Sequence, residues 1–279
     1  MLNKYIKFLK PDMEYVVFSD IYNSKNKDAI CKAGKLLKFI HDDIYVAHFP
    51  LADEQESFET WENLLNGKKH IYIALGQNLN GNNPNIAGFI VVGLYNKSGL
   101  VEYIIRTKEY KNRLRGIEML HLAIEHLNKL SHNINNESIN CMYWELNDPD
   151  KIEFNTNTDC MSPLKRINLV KQTYNGKLLG FDYVQPPLTE SQDICDNLRL
   201  ARIDVEYSDL NKDKIAQQLK DYLLDFVQRL TQKNPYEVMA TEPKINRMFK
   251  QVDFMIQQHI SPFEDEQTQK EKLLISEIV

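Results

Sequence analysis

Apolar residues recur at helical spacing through "SKNKDAICKAGKLLKFIHDD", where Ala29, Ile30, Ala33, Leu36, Leu37 and Ile40 make one stripe. "DEQESFETWENLLNG" repeats the pattern with Phe58, Trp61, Leu64 and Leu65, and Gly67 supplies a stop signal. The period then shortens. "HIYIALG" is a brief β-type run followed by a polar Asn/Gly loop at 77–85. "IAGFIVVGLY" and "LVEYIIRT" read as strands joined by "NKSG", which is hairpin-turn chemistry. Helical spacing returns in "YKNRLRGIEMLHLAIEHLNKL", with Ile117, Leu120, Ala123, Ile124 and Leu127 on one face. "ESINCMYWEL" is a strand, "LKRINLVKQTY" a short helix, and "KLLGFDYVQPPL" and "NLRLARIDV" are two further strands. Between them, "NDPDKIEFNTNTDCMSP" has no period, the pattern of a functional or mobile connection. The acidic "HDD" at 41–43 reads as solvated charge at a helix end.

This order, α α β β β α β α β β, predicts an α/β (α+β) fold around one mixed, mostly antiparallel central sheet flanked by helices. From Ser208 the texture becomes helical. "SDLNKDKIAQQLKDYLLDFVQRLTQKN" offers an N-cap at Ser208 or Asp209 and an apolar series of Ile215, Leu219, Tyr222, Leu223, Phe226 and Leu230. "EPKINRMFKQVDFMIQQH" follows, with Pro243 in a first-turn position, and the charged C-terminal end reads as frayed. The expected division is a domain over 1–207 and a helical C-terminal extension over 208–279.

Composition narrows the class. The 279 residues are 43% hydrophobic and 26% charged, as in an ordinary globular protein. A net charge of −5 argues against broad nucleic-acid or anionic-membrane binding, so any anion site must be local. Cys31, Cys141, Cys160 and Cys195 show no CxxC pairing and read as reduced thiols. No HExxH occurs, His121 and His126 fall on different helix faces, and no metal is expected. The N-terminal "MLNKYIKFLKPDM" is too short and interrupted an apolar run for a signal peptide, and no apolar stretch could span a bilayer. The expected location is cytoplasmic.

One local anion site stands out. Arg113, Arg115 and Gly116 crowd the start of the helix at 116, where unpaired N–H groups and the helix dipole favour phosphate. Glycine permits close approach of a ligand to the backbone. A solvated basic face is the plainer alternative. The strand–turn–helix order resembles the acetyl-CoA site of the Gcn5-related N-acetyltransferases, the GNAT superfamily, with its signature Q/R-x-x-G-x-G/A. Here that signature reads Arg113-Leu114-Arg115-Gly116-Ile117-Glu118. Glu118 departs from the usual Gly or Ala, and a carboxylate beside a pyrophosphate is unfavourable unless it points to solvent. The resemblance runs in element order over about residues 14–205. It implies that backbone amides from Arg113 to Glu118 hold the CoA pyrophosphate, and that Arg106, Thr107 and Lys108 pair with pantetheine.

The resemblance also implies a reaction: direct attack of a primary amine on acetyl-CoA as co-substrate. Such an amine is protonated near neutral pH, so a base is needed. Glu102, in the strand before the turn, stands where the histone-acetyltransferase branch carries its base. Strand alternation would place Leu100, Glu102, Ile104 and Arg106 on one face. An ordinary charge on a wet face is the competing reading. Tyr174 could serve the departing thiolate as acid or pack as a helix-end aromatic, and its spacing to Gly176 and Gly180 differs from the family pattern. Tyr183 is a third possibility, better read as a sheet residue near the substrate opening. Glu145 is an alternative base or substrate contact, and Trp144 reads as core. The second reading is a catalytically degenerate module of the same fold that binds CoA or a protein. Its C-terminal helices would serve as a dimer or partner contact.

Overall fold

The computed structural model describes residues 12–49, 55–81, 83–152, 161–187, 193–205 and 211–264. Cys160 and the N-cap candidates Ser208 and Asp209 lie outside them. The chain forms two compact units, Met1–Leu94 with Gly99–Ile139, and Tyr95–Ser98 with Asn140–Val279. The 207/208 boundary expected from composition also falls outside the described residues, and the C-terminal helices belong with the strands of the second unit.

The first unit opens with β1 (Glu14–Val17) and α1 (Phe18–Asn23), neither legible in the sequence. α2 (Lys27–Phe39) starts where the Asn26 side chain accepts the Ala29 N–H at 3.2 Å. It continues through a π-helical segment, Ile40–Tyr45, into the single turn α3 (Val46–His48). The "HDD" stretch is therefore not at a helix end, although Asp42 and Asp43 are solvated as expected. The extra residue per turn rotates His41 inward, leaving it 8% exposed. α4 (Phe58–Asn66) begins on a Ser57 cap to the Thr60 N–H at 3.1 Å. Its chain reversal uses Lys68 at φ 59°, while Gly67 stays helical.

β2 (His70–Gln77), β3 (Asn85–Tyr95) and β4 (Ser98–Arg106) follow, in the order β1-β2-β3-β4, with β1–β2 and β2–β3 antiparallel. The β2–β3 register slips between Leu75 and Gly76, and a Cβ on Gly76 would stand 2.1 Å from the Asn85 carbonyl oxygen. Only glycine allows that approach. The β3–β4 reversal uses Asn96 at φ 52°. One face of this sheet carries Tyr72, Ala74, Phe89, Val91 and Ile105, buried against Phe18, Leu37, Ile40, Tyr45, Trp61 and Leu65 from the N-terminal helices. α5 (Gly116–Asn135) packs on the other face, where Leu114 and Met119 lie over Gly88.

In the second unit β5 (Cys141–Asn147) and the short β6 (Lys177–Leu178) flank β7 (Leu198–Asp204), both pairings antiparallel. The strand read across "KLLGFDYVQPPL" shrinks to those two residues plus isolated bridges at Leu179 and Gln185. Pro186 and Pro187, which offer no N–H to a ladder, follow the second bridge. α6 (Pro163–Thr173) precedes β6. α7 (Lys212–Thr231) starts at Asn211, whose side chain accepts the Lys214 N–H at 2.9 Å. It stacks Tyr222 on Tyr143 with ring centroids 4.1 Å apart. α8 (Pro235–Thr241) and α9 (Pro243–Gln257) complete the unit, each with proline in its first turn. Arg202 is 1% exposed and bonds Asp204 Oδ1 at 2.7 Å and Gln218 Oε1 at 2.9 Å, tying β7 to α7. The result is a mixed α/β architecture with mostly antiparallel strands flanked by helices, as the hydrophobic pattern predicts. Among the described residues no helix is long and apolar enough to cross a membrane.

Candidate functional site

The first unit holds two polar features, the turn that opens α5 and a carboxyl cluster under the N-terminal helices. β4 leads into the turn. Thr107 anchors it by donating its N–H to the Ala87 carbonyl at 3.1 Å and its hydroxyl to Ile86 at 3.0 Å. After a 3₁₀ turn at Lys108–Tyr110, the amides of Arg113 and Leu114 both return to the Tyr110 carbonyl, at 2.9 and 3.0 Å. Tyr110 is itself fixed by its hydroxyl, which donates to Gln77 at 2.8 Å.

The three arginines are engaged within the protein. Arg106 donates to the carbonyls of Lys111 and Leu114, each at 3.3 Å, and so braces the turn. Arg113 pairs with Asp12 and lies over the Tyr110 ring. Arg115 pairs with Glu118 through Nε at 3.0 Å and Nη2 at 2.8 Å, and its backbone N–H donates to the same carboxylate at 2.9 Å. The Glu118 amide closes back on the Arg115 carbonyl at 3.0 Å. Of the amides from Arg113 to Glu118, those of Gly116 and Ile117 have no acceptor among the described residues. Leu114 is fully buried, its side chain covering Gly88, and so contributes packing.

The donor set fits an anion: two helix-start amides, the dipole behind them, and the Arg115 N–H and guanidinium. Glu118 supplies a carboxylate to that set, so a phosphate would have to displace it.

Glu102 lies on β4 with 14% of its side chain exposed, and its Oε1 is 3.1 Å from Nε2 of His70, the first residue of β2. Its neighbour Tyr103 packs with the aromatic core and hydrogen-bonds Glu56. Strict alternation would send Glu102 and Tyr103 to opposite faces, yet both reach one cluster.

Glu56 is the member that sequence reasoning misses. It sits just ahead of the Ser57 cap, in a stretch whose period announces only a helix. Its backbone N–H donates to the Tyr45 hydroxyl oxygen at 2.9 Å, and its carbonyl faces His41 Nε2 at 2.9 Å. Trp61 Nε1 donates to its carboxyl at 3.1 Å. Burial first, and the Glu102 carboxylate next, push the Glu56 carboxyl up to about 7, against the pull of His70 and of the Tyr103 and Trp61 hydrogen bonds. Burial and Glu56 together also raise the Tyr103 hydroxyl, keeping it protonated as a donor. The partners of Glu56 come from positions 41, 45, 61, 70, 102 and 103, a convergence that no local spacing encodes.

The remaining candidates lie in the second unit. Glu145 on β5 accepts from the Tyr183 hydroxyl and, through both oxygens, from Gln185 Nε2 at 3.1 Å. Tyr183 is 1% exposed, and burial, then Glu145, hold its hydroxyl in the protonated form. Tyr174 at the end of α6 packs edge-on against Trp144 with centroids 5.2 Å apart, both rings buried. The thiols of Cys31, Cys141 and Cys195 are free. Among the described residues no group of three or more His, Cys, Asp or Glu could hold a metal ion.

No family model and no curated protein matches the sequence. Solved structures do resemble it. A protein described as a GNAT-family acetyltransferase from Bacteroides thetaiotaomicron is 18% identical, with 77% of this chain and 97% of that one covered at a TM-score of 0.47. Gcn5 from Tetrahymena is 14% identical over 71% of this chain and 99% of its own, at 0.41. The ribosomal-protein-S18-alanine N-acetyltransferase from Escherichia coli is 12% identical over 71% and 99%, at 0.37. The chain is similar in outline to these acetyltransferase structures.

Proposed function

We propose that the chain is an acetyl-CoA-dependent N-acetyltransferase acting on a primary amine. One observation carries the reading: β4 bears the largely buried carboxylate Glu102 and runs directly into the turn whose Gly116 and Ile117 amides open α5. A base and an anion-binding helix start on consecutive elements are what amine acylation from a nucleotide thioester requires. Acetyl-CoA, when bound, supplies an activated acyl thioester. The Gly116, Ile117 and Arg115 amides, with the Arg115 guanidinium, would hold its diphosphate in place of the Glu118 carboxylate. The backbone from Arg106 to Lys108, just where β4 ends, would pair with its pantetheine. Glu102 removes the ammonium proton directly or through one water, held in place by His70. No covalent acyl-enzyme is needed.

The test is release of CoA thiol from acetyl-CoA with a panel of primary amines. The reading expects amine-dependent release that Glu102→Gln lowers by about 10²-fold. Release that is absent across the panel would overturn it. The engagement of Arg115 by Glu118 and of Arg113 by Asp12 favours a second reading, a binding module of the same fold without turnover. Calorimetric binding of acetyl-CoA with no thiol release from any amine would select it.

A further inference from the structure

We infer that Glu56 is a second acid–base carboxyl of the proposed reaction, and that the proton removed from the acceptor amine comes to rest on it. The inference rests on the acetyltransferase reading and assigns its proton a destination.

Glu56 is placed with more care than helix capping requires. Its main chain is gripped on both sides, by Tyr45 and by His41, and its carboxyl receives Trp61 Nε1 and the Tyr103 hydroxyl. A glutamine at this position would accept the same two donors without an ionisable group in a half-buried site. The groups facing it are His41 and Tyr45 from the π-helical segment, Trp61 from α4, His70 from β2, and Glu102 and Tyr103 from β4. Asp42, bonded to His41 at 2.8 Å, and Lys38, bonded to Asp42 at 2.7 Å, stand one step further out. Two carboxyls therefore share one imidazole, and Glu102 is the one in contact with it. A carboxylate beside a second carboxylate is disfavoured in its charged form. The carboxyl pushed up to about 7 is Glu56, a value suited to taking and returning a proton near neutral pH.

The step balances. One ammonium N–H bond breaks and an O–H bond forms on Glu56, reached from Glu102 directly or through water, leaving a neutral amine. The amine nitrogen bonds to the acetyl carbon, the C–S bond breaks, and the second N–H proton leaves with the sulfur as thiol. Glu56 then returns its proton to solvent.

Carbon-detected NMR of the full chain, with glutamate carboxyls labelled, tests the pair without turnover. One glutamate should titrate with a midpoint near 7, vanish in Glu56→Gln, and move to lower pH in Glu102→Gln, because the second-largest cause of its rise is removed. Tyr103→Phe deletes a hydrogen bond that favours the anion, so it should move the midpoint up, and it serves where Glu56→Gln fails to fold. In thiol-release assays the acid limb of the kcat/KM profile should share that midpoint, and Glu56→Gln should lose it with a drop of about 10²-fold while acetyl-CoA affinity holds within about twofold. A wild-type protein with no glutamate titrating above the ordinary carboxyl range would overturn the inference, as would an acid limb unchanged in Glu56→Gln. Failure of the wild type to bind acetyl-CoA would instead overturn the acetyltransferase reading, whatever the NMR titration showed.

Discussion

Glu118 closes back on Arg115: its carboxylate accepts the Arg115 backbone N–H at 2.9 Å and pairs with the guanidinium at 2.8 Å. Placed in the first turn of α5, it complements the helix dipole and occupies donors that would suit a phosphate. A carboxylate and a diphosphate cannot both have them. Glu118→Ala should therefore tighten acetyl-CoA binding several-fold in calorimetry while lowering stability by about 1 kcal/mol in thermal unfolding. Weaker binding in this variant would show that Glu118 supports the cofactor turn rather than competing for it.

Glu56 gives stability a pH dependence whose sign can be worked out. Its folded carboxyl is raised to about 7 from the ordinary value of 4.5, so the native state holds more protons than the unfolded chain between those limits. The stabilisation it contributes is present below the lower value and is lost as pH rises through the upper one. Chemical denaturation at pH about 5 and about 8 should show the wild type losing on the order of 2 kcal/mol relative to Glu56→Gln across that interval. A constant difference between the two proteins would contradict the placement of Glu56.

Gly88 couples the sheet to the turn. An added Cβ would meet Leu114 Cδ2 at 2.7 Å and Met119 Cε at 2.9 Å, both on buried side chains. Gly88→Ala should cost about 1–3 kcal/mol and, by pushing Leu114 outward, weaken acetyl-CoA binding as well. Unfolding and calorimetry on the same variant check the two effects together.

Arg202 organises the second unit. Arg202→Ala leaves Gln218 and Asp204 without their common donor, and should cost about 3 kcal/mol. Arg202→Met, which restores packing volume and leaves Asp204 at the unit's surface, should recover about half of that.

The sequence revealed what local periodicity encodes. The α2 stripe, the α4 stripe, the β3–β4 hairpin, α5 and α9 all announce themselves through spacing, caps and turn residues. β1 and α1 did not, because four strand residues and a six-residue helix are too short to display a period. The π-helical segment was hidden for a related reason. The two aspartates of "HDD" are exposed as the sequence suggests, and only the continuation of the helix past them, with His41 buried, was not visible. The strand that carries Glu102 was legible from its β-type run. Glu56 was not, since its character comes from burial and from residues at 41, 61, 70, 102 and 103 that only folding brings together. The arginines at 106, 113 and 115 were legible as charge, while their partners, two carboxylates and two carbonyls, were not.

The proposed diphosphate site lies at the start of α5, and the Gly116 amide offers a clean probe. Gly116 is the first helical residue and Arg115 before it has φ −101° and ψ 141°, a conformation that tolerates a following proline. Gly116→Pro thus deletes one donor without breaking the helix. Calorimetric titration with acetyl-CoA should show wild-type binding that this variant weakens by about tenfold or more, with its thermal midpoint little changed. Equal affinity in the two proteins, or no binding to either, would contradict it.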